Sequence, residues 1–235
     1  MWVVCALILF HVPLYGSEED PGISLEVGVN IHQESGEILD RVEEMRIGWV
    51  RVDVGWADIE PTFETPPRYV WDTADAVVAA QKTRGRKILW LVSGTPSWAS
   101  TNGKKNGVPK DAVARERFRE FVRVVVERYV HDIDYFEVWN EPNLERFWTG
   151  TVEEYVNCLL IPAYEEVKRV DQEKKVVGPG LALLHSSARI KVDDFFRILE
   201  RYEAYRYVDI VSQHIYEDRP GDIIEQFEEG NYECL

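Results

Sequence analysis

The sequence predicts an α/β fold, an incomplete (β/α)8 TIM barrel. Three observations carry that prediction. Short β-rich runs alternate with longer stretches of helical period, the pattern of a parallel sheet with crossover helices. No G-x-G-x-x-G and no P-loop follows the first strand, so the phosphate-cradling turn of an open doubly wound sheet is missing. Polar and aromatic residues gather instead after strand ends: Arg51 and Trp56, Trp98, Asn140 and Glu141, His214 and Tyr216. A barrel brings all of these to its C-terminal mouth, whereas an open sheet would scatter them.

The runs follow in order. The first strand is Leu25–Ile31, and His32 at its end lines the expected mouth. A helix is expected from about Ser35, with Ile38, Leu39, Val42 and Met45 on one face. The second run, Trp49–Val54, leads to a helix holding Ala74, Val77, Val78 and Gln81, with Gly85 as its stop. The third, Lys87–Val92, precedes a long helix capped by Asp111 and carrying Phe118, Phe121, Val122, Val125 and Tyr129. The fourth is Tyr135–Trp139. Thr151 and Glu154 then form a capping box, and Pro162 is expected to kink or split the helix they open. The fifth run is Lys175–Gly178, followed by a helix with Phe195, Phe196, Leu199 and Tyr202. The sixth is Val208–His214.

A barrel of this type needs about 250 residues. Six strand–helix units already use nearly everything from Gly22 onward. Two units are therefore missing: either strands are miscounted or the chain is a fragment. The opening stretch "MWVVCALILFHVPLYGSEED" reads as a secretory signal over residues 1–16, leaving 17–235 as the partial barrel domain. That placement makes the protein secreted or periplasmic. The alternative is a buried first strand and a cytoplasmic protein. After this stretch no apolar run is long enough for a membrane helix.

The formal net charge of -15 disfavours nucleic acid and acidic membranes as partners. A neutral substrate fits better. Three cysteines make no disulfide framework. His11, His131 and His185 have no partners at metal-ligand spacing, so neither a catalytic metal nor a cofactor is expected. Among the eight tryptophans, Trp56 and Trp98 are candidate platforms for sugar rings, with core packing as the alternative.

The stretch "YFEVWNEPNLERFW" concentrates the chemistry. Cleaving a glycosidic bond takes two carboxyl groups, one of which protonates the leaving oxygen. A carboxyl at a strand end inside a ring of aromatics suits that task. Asn140 before it can bind a sugar hydroxyl, and Pro142 after it stiffens the backbone. The bland alternative is a loop opening with both polar side chains in water.

"FEVWNEPN" with "LERFW" behind it resembles the acid/base strand of clan A glycoside hydrolases, most of all family 39, which contains β-xylosidases and α-L-iduronidases. "WVRVDVGWADIEP", "TVEEYVNCLLIPAYEEVKRVDQEKKVVGPGLA" and "VDIVSQHIY" are similar to its second strand, its fourth helix with fifth strand, and its sixth strand. The similarity covers residues 22 to 220 or so. Family 5 and its relatives share the scheme. The resemblance implies Glu141 as general acid/base and Asn140 on the 2-hydroxyl. It implies His214 and Tyr216 at the sugar and Arg51 under the nucleophile. The alternatives are an ion pair of Arg51 with Asp53 or a helix acid, and a satisfied core histidine for His214. The family's second carboxylate should end the seventh strand, and no strand-end acid matches it. Glu225, Glu228, Glu229 and Glu233 lie in a polar, helically spaced segment. The sequence therefore reads as the acid/base half of a retaining enzyme acting on a glycoside or polysaccharide. A second polypeptide supplies the missing strands, or the chain is an inactive or carbohydrate-binding remnant.

Overall fold

The computed structural model of the 235-residue chain describes residues 6–11, 24–31, 40, 42–183 and 189–215. The strands are β1 Ala6–His11, β2 Ser24–Ile31, β3 Trp49–Val52, β4 Lys87–Val92, β5 Tyr135–Val138, β6 Lys175–Val177, β7 Leu181–Leu183 and β8 Gln213–Ile215. The first six form one sheet in chain order, and β7 pairs with β8. From β2 to β6 every pairing is parallel, as is β7 with β8. Parallel bridges Asn140↔Gly180 and Val177↔Ile210 carry the wall from one sheet to the other. The result is an incomplete α/β barrel wall, as the strand–helix alternation predicts. β1, within the stretch read as a signal, lies antiparallel against β2.

Helices cover the outer face: α1 Trp56–Ile59, α2 Asp72–Thr83, α3 Ala112–Arg128, α4 Val152–Tyr155, α5 Ile161–Val170 and α6 Val192–Arg201. β4 shows why the strands read as apolar runs. From Ile88 to Val92 every residue is buried, because a parallel strand has helices on one face and the barrel interior on the other. α3 begins at Asp111, whose Oδ1 accepts the Ala114 N–H at 2.8 Å. It buries Phe118, Phe121, Val122, Val125 and Val126. The Thr151–Glu154 capping box closes in both directions, at 3.1 and 2.8 Å.

Several expectations change. The interruption expected at Pro162 takes the form of a change of helix type just before it. A π-helical turn over Val156–Leu160 joins α4 to α5, and the Ile161 N–H bonds back five residues to the Val156 carbonyl. That wider turn makes room for a ring that has no N–H to give. Of the expected first helix, residues 42–44 are described as helical. Val42 is buried, but Met45 is largely exposed. The fifth run is interrupted after Val177 and resumes as β7, a strand the periodicity did not announce. The sixth run is strand only over Gln213–Ile215, with Ile210 held by its bridge to Val177. The polar tail after Tyr216 lies outside the described residues. Among the described residues no helix is long and apolar enough to cross a membrane.

Phe121 packs on Trp56 with ring centroids 6.0 Å apart and is fully buried. Phe121→Ala should cost about 3–5 kcal/mol of stability, and Asp111→Ala about 0.5–2 kcal/mol through the lost cap. Urea unfolding monitored by tryptophan fluorescence checks both.

Candidate active site

The chain reaches Glu141 through an unusual path. β5 ends at Val138. Trp139 and Glu141 then adopt left-handed backbone conformations, with φ of 70° and 43°. Such conformations are costly for residues other than glycine and persist where surrounding bonds fix them. Those bonds are present. The Trp139 N–H donates to Val92 O at 2.9 Å and the Glu141 N–H to Gly180 O at 2.8 Å. The Trp139 indole donates to Phe147 O at 2.8 Å. Asn143 clamps the loop to β7, donating to Ala182 O at 2.9 Å and accepting from the Ala182 N–H at 3.0 Å. The double reversal turns the Glu141 carboxyl into the barrel mouth, toward His214.

Beneath it lies a second acid. Glu137, inside β5, is fully buried. Its Oε2 accepts from Arg51 Nε at 2.5 Å and its Oε1 from the Ser212 hydroxyl at 2.7 Å. Arg51 is on β3, two strands away. Alternate strands of a barrel contribute to the same interior layer, and this puts the two charges side by side across β4. Arg51 also donates through Nη2 to Asn140 Oδ1 at 3.0 Å. Arginine can only donate, so the Asn140 oxygen must face it. The amide NH2 of Asn140 is then presented as a donor.

His214 connects the acids. Its Nε2 is 3.6 Å from Glu137 Oε1 and its Nδ1 is 3.0 Å from Glu141 Oε1. Arg146 Nη2 donates to Glu141 Oε2 at 3.2 Å from the outer side. Burial pushes the Glu137 carboxyl up, but the Arg51 charge, with His214 and Ser212, outweighs it and holds the group at about 2. Burial alone would lower the His214 value. Hydrogen bonds to Glu137 and Glu141 reverse that, and His214 is raised above the ordinary histidine range. Gly180 makes this arrangement fit, since a Cβ there would stand 2.7 Å from Glu137 Oε1 and 2.8 Å from His214 Nε2.

The structure brings Arg51, Asn140, Glu141 and His214 together. It does not bring Trp56 or Trp98 to them as platforms. Trp56 is fully buried among Trp98, Phe118 and Phe121, its indole donating to Glu60 at 2.9 Å. Trp98 donates to the Glu60 carbonyl at 3.0 Å and packs on Phe63. Both serve the layer behind the strands. Arg51 pairs with neither the exposed Asp53 nor a helix acid. His32 and Tyr216 lie outside the described residues. Glu137, Ser212, Gly180 and Arg146 escaped the sequence reading. The signal for Glu137 was a lone acid within an apolar strand, matched by a lone arginine within another. Among the described residues no group of three or more His, Cys, Asp or Glu side chains could hold a metal ion.

The model of glycosyl hydrolases family 39 matches residues 90–229. A beta-xylosidase from Caldicellulosiruptor saccharolyticus is 50% identical over 50 residues, 21% of this chain and 10% of that protein. Among solved structures, a family 39 glycoside hydrolase from Bacteroides cellulosilyticus WH2 is 18% identical, with a TM-score of 0.61 over 82% of this chain and 42% of that one. A family 39 beta-xylosidase from Caulobacter crescentus is 23% identical, with a TM-score of 0.57 over 83% and 46%. At these identities the likeness shows the fold. The chain spans less than half the length of each of these relatives. The family 5 alternative does not fit, because the matching model is that of family 39.

Arg51→Met leaves the Glu137 charge buried without its cation and should cost about 3–5 kcal/mol near neutral pH. The Glu137 value is depressed in the fold, so the pair's contribution is present above the unfolded value of 4.5 and lost as pH falls through about 2. The stability gap between wild type and Arg51→Met should therefore be full at pH 6 and narrow as the pH approaches 2, read by urea unfolding.

Proposed function

The chain belongs to glycosyl hydrolases family 39, and on that premise we propose that it carries the proton-transferring half of a glycoside-hydrolysing site, with Glu141 as general acid/base. The observation that supports this most is the setting of Glu141. Its carboxyl is 1% exposed at the end of a barrel strand, beside Asn140 and against His214. Glycosidic cleavage asks for such a carboxyl on the leaving-group side. In the retaining scheme Glu141 first protonates the leaving oxygen and later takes a proton from the attacking water. The Asn140 amide donates to the sugar's 2-hydroxyl, and His214 with Tyr216 contacts the ring. The 50% identity over 50 residues to a protein named beta-xylosidase supports a β-xyloside as substrate.

The partner carboxylate is a separate matter. Glu137 is near, but it is fully buried and bound to Arg51 at 2.5 Å, which leaves no path for it to attack an anomeric carbon. We assign the nucleophile to a second polypeptide, because no acid of this sequence matches it at a strand end. Arg146 has to give way when substrate enters. Its side chain is 64% exposed and can swing into solvent.

Aryl β-xylosides test the reading. In an assembly that turns them over, Glu141→Ala should slow a substrate with a poor leaving group by about 10²–10⁴-fold. A dinitrophenyl xyloside, which needs no protonation to depart, should suffer far less. Equal losses on both would remove Glu141 from the acid role. The purified 235-residue chain alone should show no turnover above its Glu141→Ala variant. Glu141-dependent turnover by that chain would place the nucleophile within it.

A further inference from the structure

Glu137 is the charged group that proton transfer at Glu141 does not itself use. Burying an ion pair is costly, and well-packed apolar residues of similar volume often replace one without loss. The neighbouring positions Leu89 and Leu91 on β4 are apolar and fully buried or nearly so. An acid inside β5 therefore needs a reason beyond packing, and its geometry supplies one.

His214 stands between two carboxylates. Nε2 faces Glu137 Oε1 at 3.6 Å, and Nδ1 faces Glu141 Oε1 at 3.0 Å. A carboxylate only accepts, and a neutral imidazole has one N–H. When both acids are ionised, serving both takes both ring protons. Glu137 cannot swing away from this task. Arg51 holds Oε2 at 2.5 Å and Ser212 holds Oε1 at 2.7 Å. Among the described residues, the ionisable groups facing His214 are Glu137 from β5, Glu141 from the loop after it and Arg51 from β3. The arginine opposes protonation of the ring and the two acids favour it.

We propose that Glu137 is a positioning residue of the site: fixed by Arg51 and Ser212, its carboxylate keeps His214 as an imidazolium and aims Nδ1–H at Oε1 of Glu141. This rests on the reading of Glu141 as the proton carrier. With Oε1 accepting from His214, the transferable proton of Glu141 is carried on Oε2 once Arg146, which donates to that oxygen at 3.2 Å, has moved aside. Protonation of the leaving oxygen moves that proton from Oε2 and leaves a carboxylate that the imidazolium already faces. His214 keeps its own protons throughout.

NMR titration of ring-labelled histidine in the purified chain tests the proposal without requiring turnover. In the wild type both His214 ring nitrogens should carry protons at pH 7, and the titration midpoint should lie above the ordinary histidine value of 6.5. Glu137→Gln should lower the His214 midpoint by a unit or more, about tenfold in proton affinity. Glu137→Asp, which keeps the charge, should restore most of the difference. A merely structural Glu137 would change stability without moving His214 selectively. A neutral His214 at pH 7 in the wild type overturns the proposal, whether or not the variants fold. So does an unchanged midpoint in folded Glu137→Gln. If the midpoints move as expected and aryl glycosides still go uncleaved in any assembly, the reaction assigned to Glu141 fails while the Glu137–His214 coupling stands.

Discussion

The ion pair between Arg51 and Glu137 is the constraint on which the rest of the site depends. Its 2.5 Å contact joins β3 to β5 across the interior, with β4 between them. Each partner then fixes something else. Arg51 sets the orientation of the Asn140 amide at 3.0 Å. Glu137 takes the Ser212 hydroxyl and faces His214, so β8 and the segment before it are tied to the same anchor. His214 in turn meets Glu141. Neither charge could be buried alone, because desolvation of an unpaired ion costs several kcal/mol. The pair therefore makes the site all-or-none. Removing one member exposes the other to the low-dielectric interior.

The backbone complements this electrostatic anchor. A strand alternates its side chains, so Glu137 and Glu141 would both point inward if β5 simply continued. It does not continue. Left-handed conformations at Trp139 and Glu141 bend the chain out of the strand. Glu137 stays in the interior layer while Glu141 emerges at the mouth. Backbone strain of this kind is retained where neighbouring bonds over-determine it, here through Val92, Gly180 and Ala182. Those three lie on or beside β4 and β7, so the wall of the barrel sets the geometry of the acid. The rim is also internally bonded. The Thr149 N–H donates to Asn106 O at 3.0 Å, linking the loop after β5 to the loop after β4.

Much of this was legible in the sequence. β4 matches its predicted span, because a fully buried strand shows as an unbroken apolar run. The Asp111 cap and the Thr151–Glu154 box were legible because they are local. Asn140, Glu141, Arg51 and His214 were legible as strand-end or strand residues that a barrel collects. Three-dimensional effects hid the rest. The pairing of Arg51 with Glu137 depends on which strands share an interior layer, and that distance is 86 residues along the chain. Trp56 lies after a strand end like the site residues, yet the short helix Trp56–Ile59 turns it into the outer core. β7 was hidden because three residues carry too little periodicity to announce a strand. The break at Pro162 was legible, but its form was not, because a π-helical turn is invisible to a 3.6-residue pattern.

The central claim is that the strand ends around Glu141 form a sugar site organised by the buried pair. Titrating xylobiose into isotopically labelled chain and following side-chain resonances tests it most directly, because binding requires no second carboxylate. The Asn140 amide and the His214 ring should shift together and saturably, and Arg51→Met should abolish both shifts in a chain that remains folded. Shifts confined to other surfaces, or none at the Asn140 amide and the His214 ring, would contradict the account.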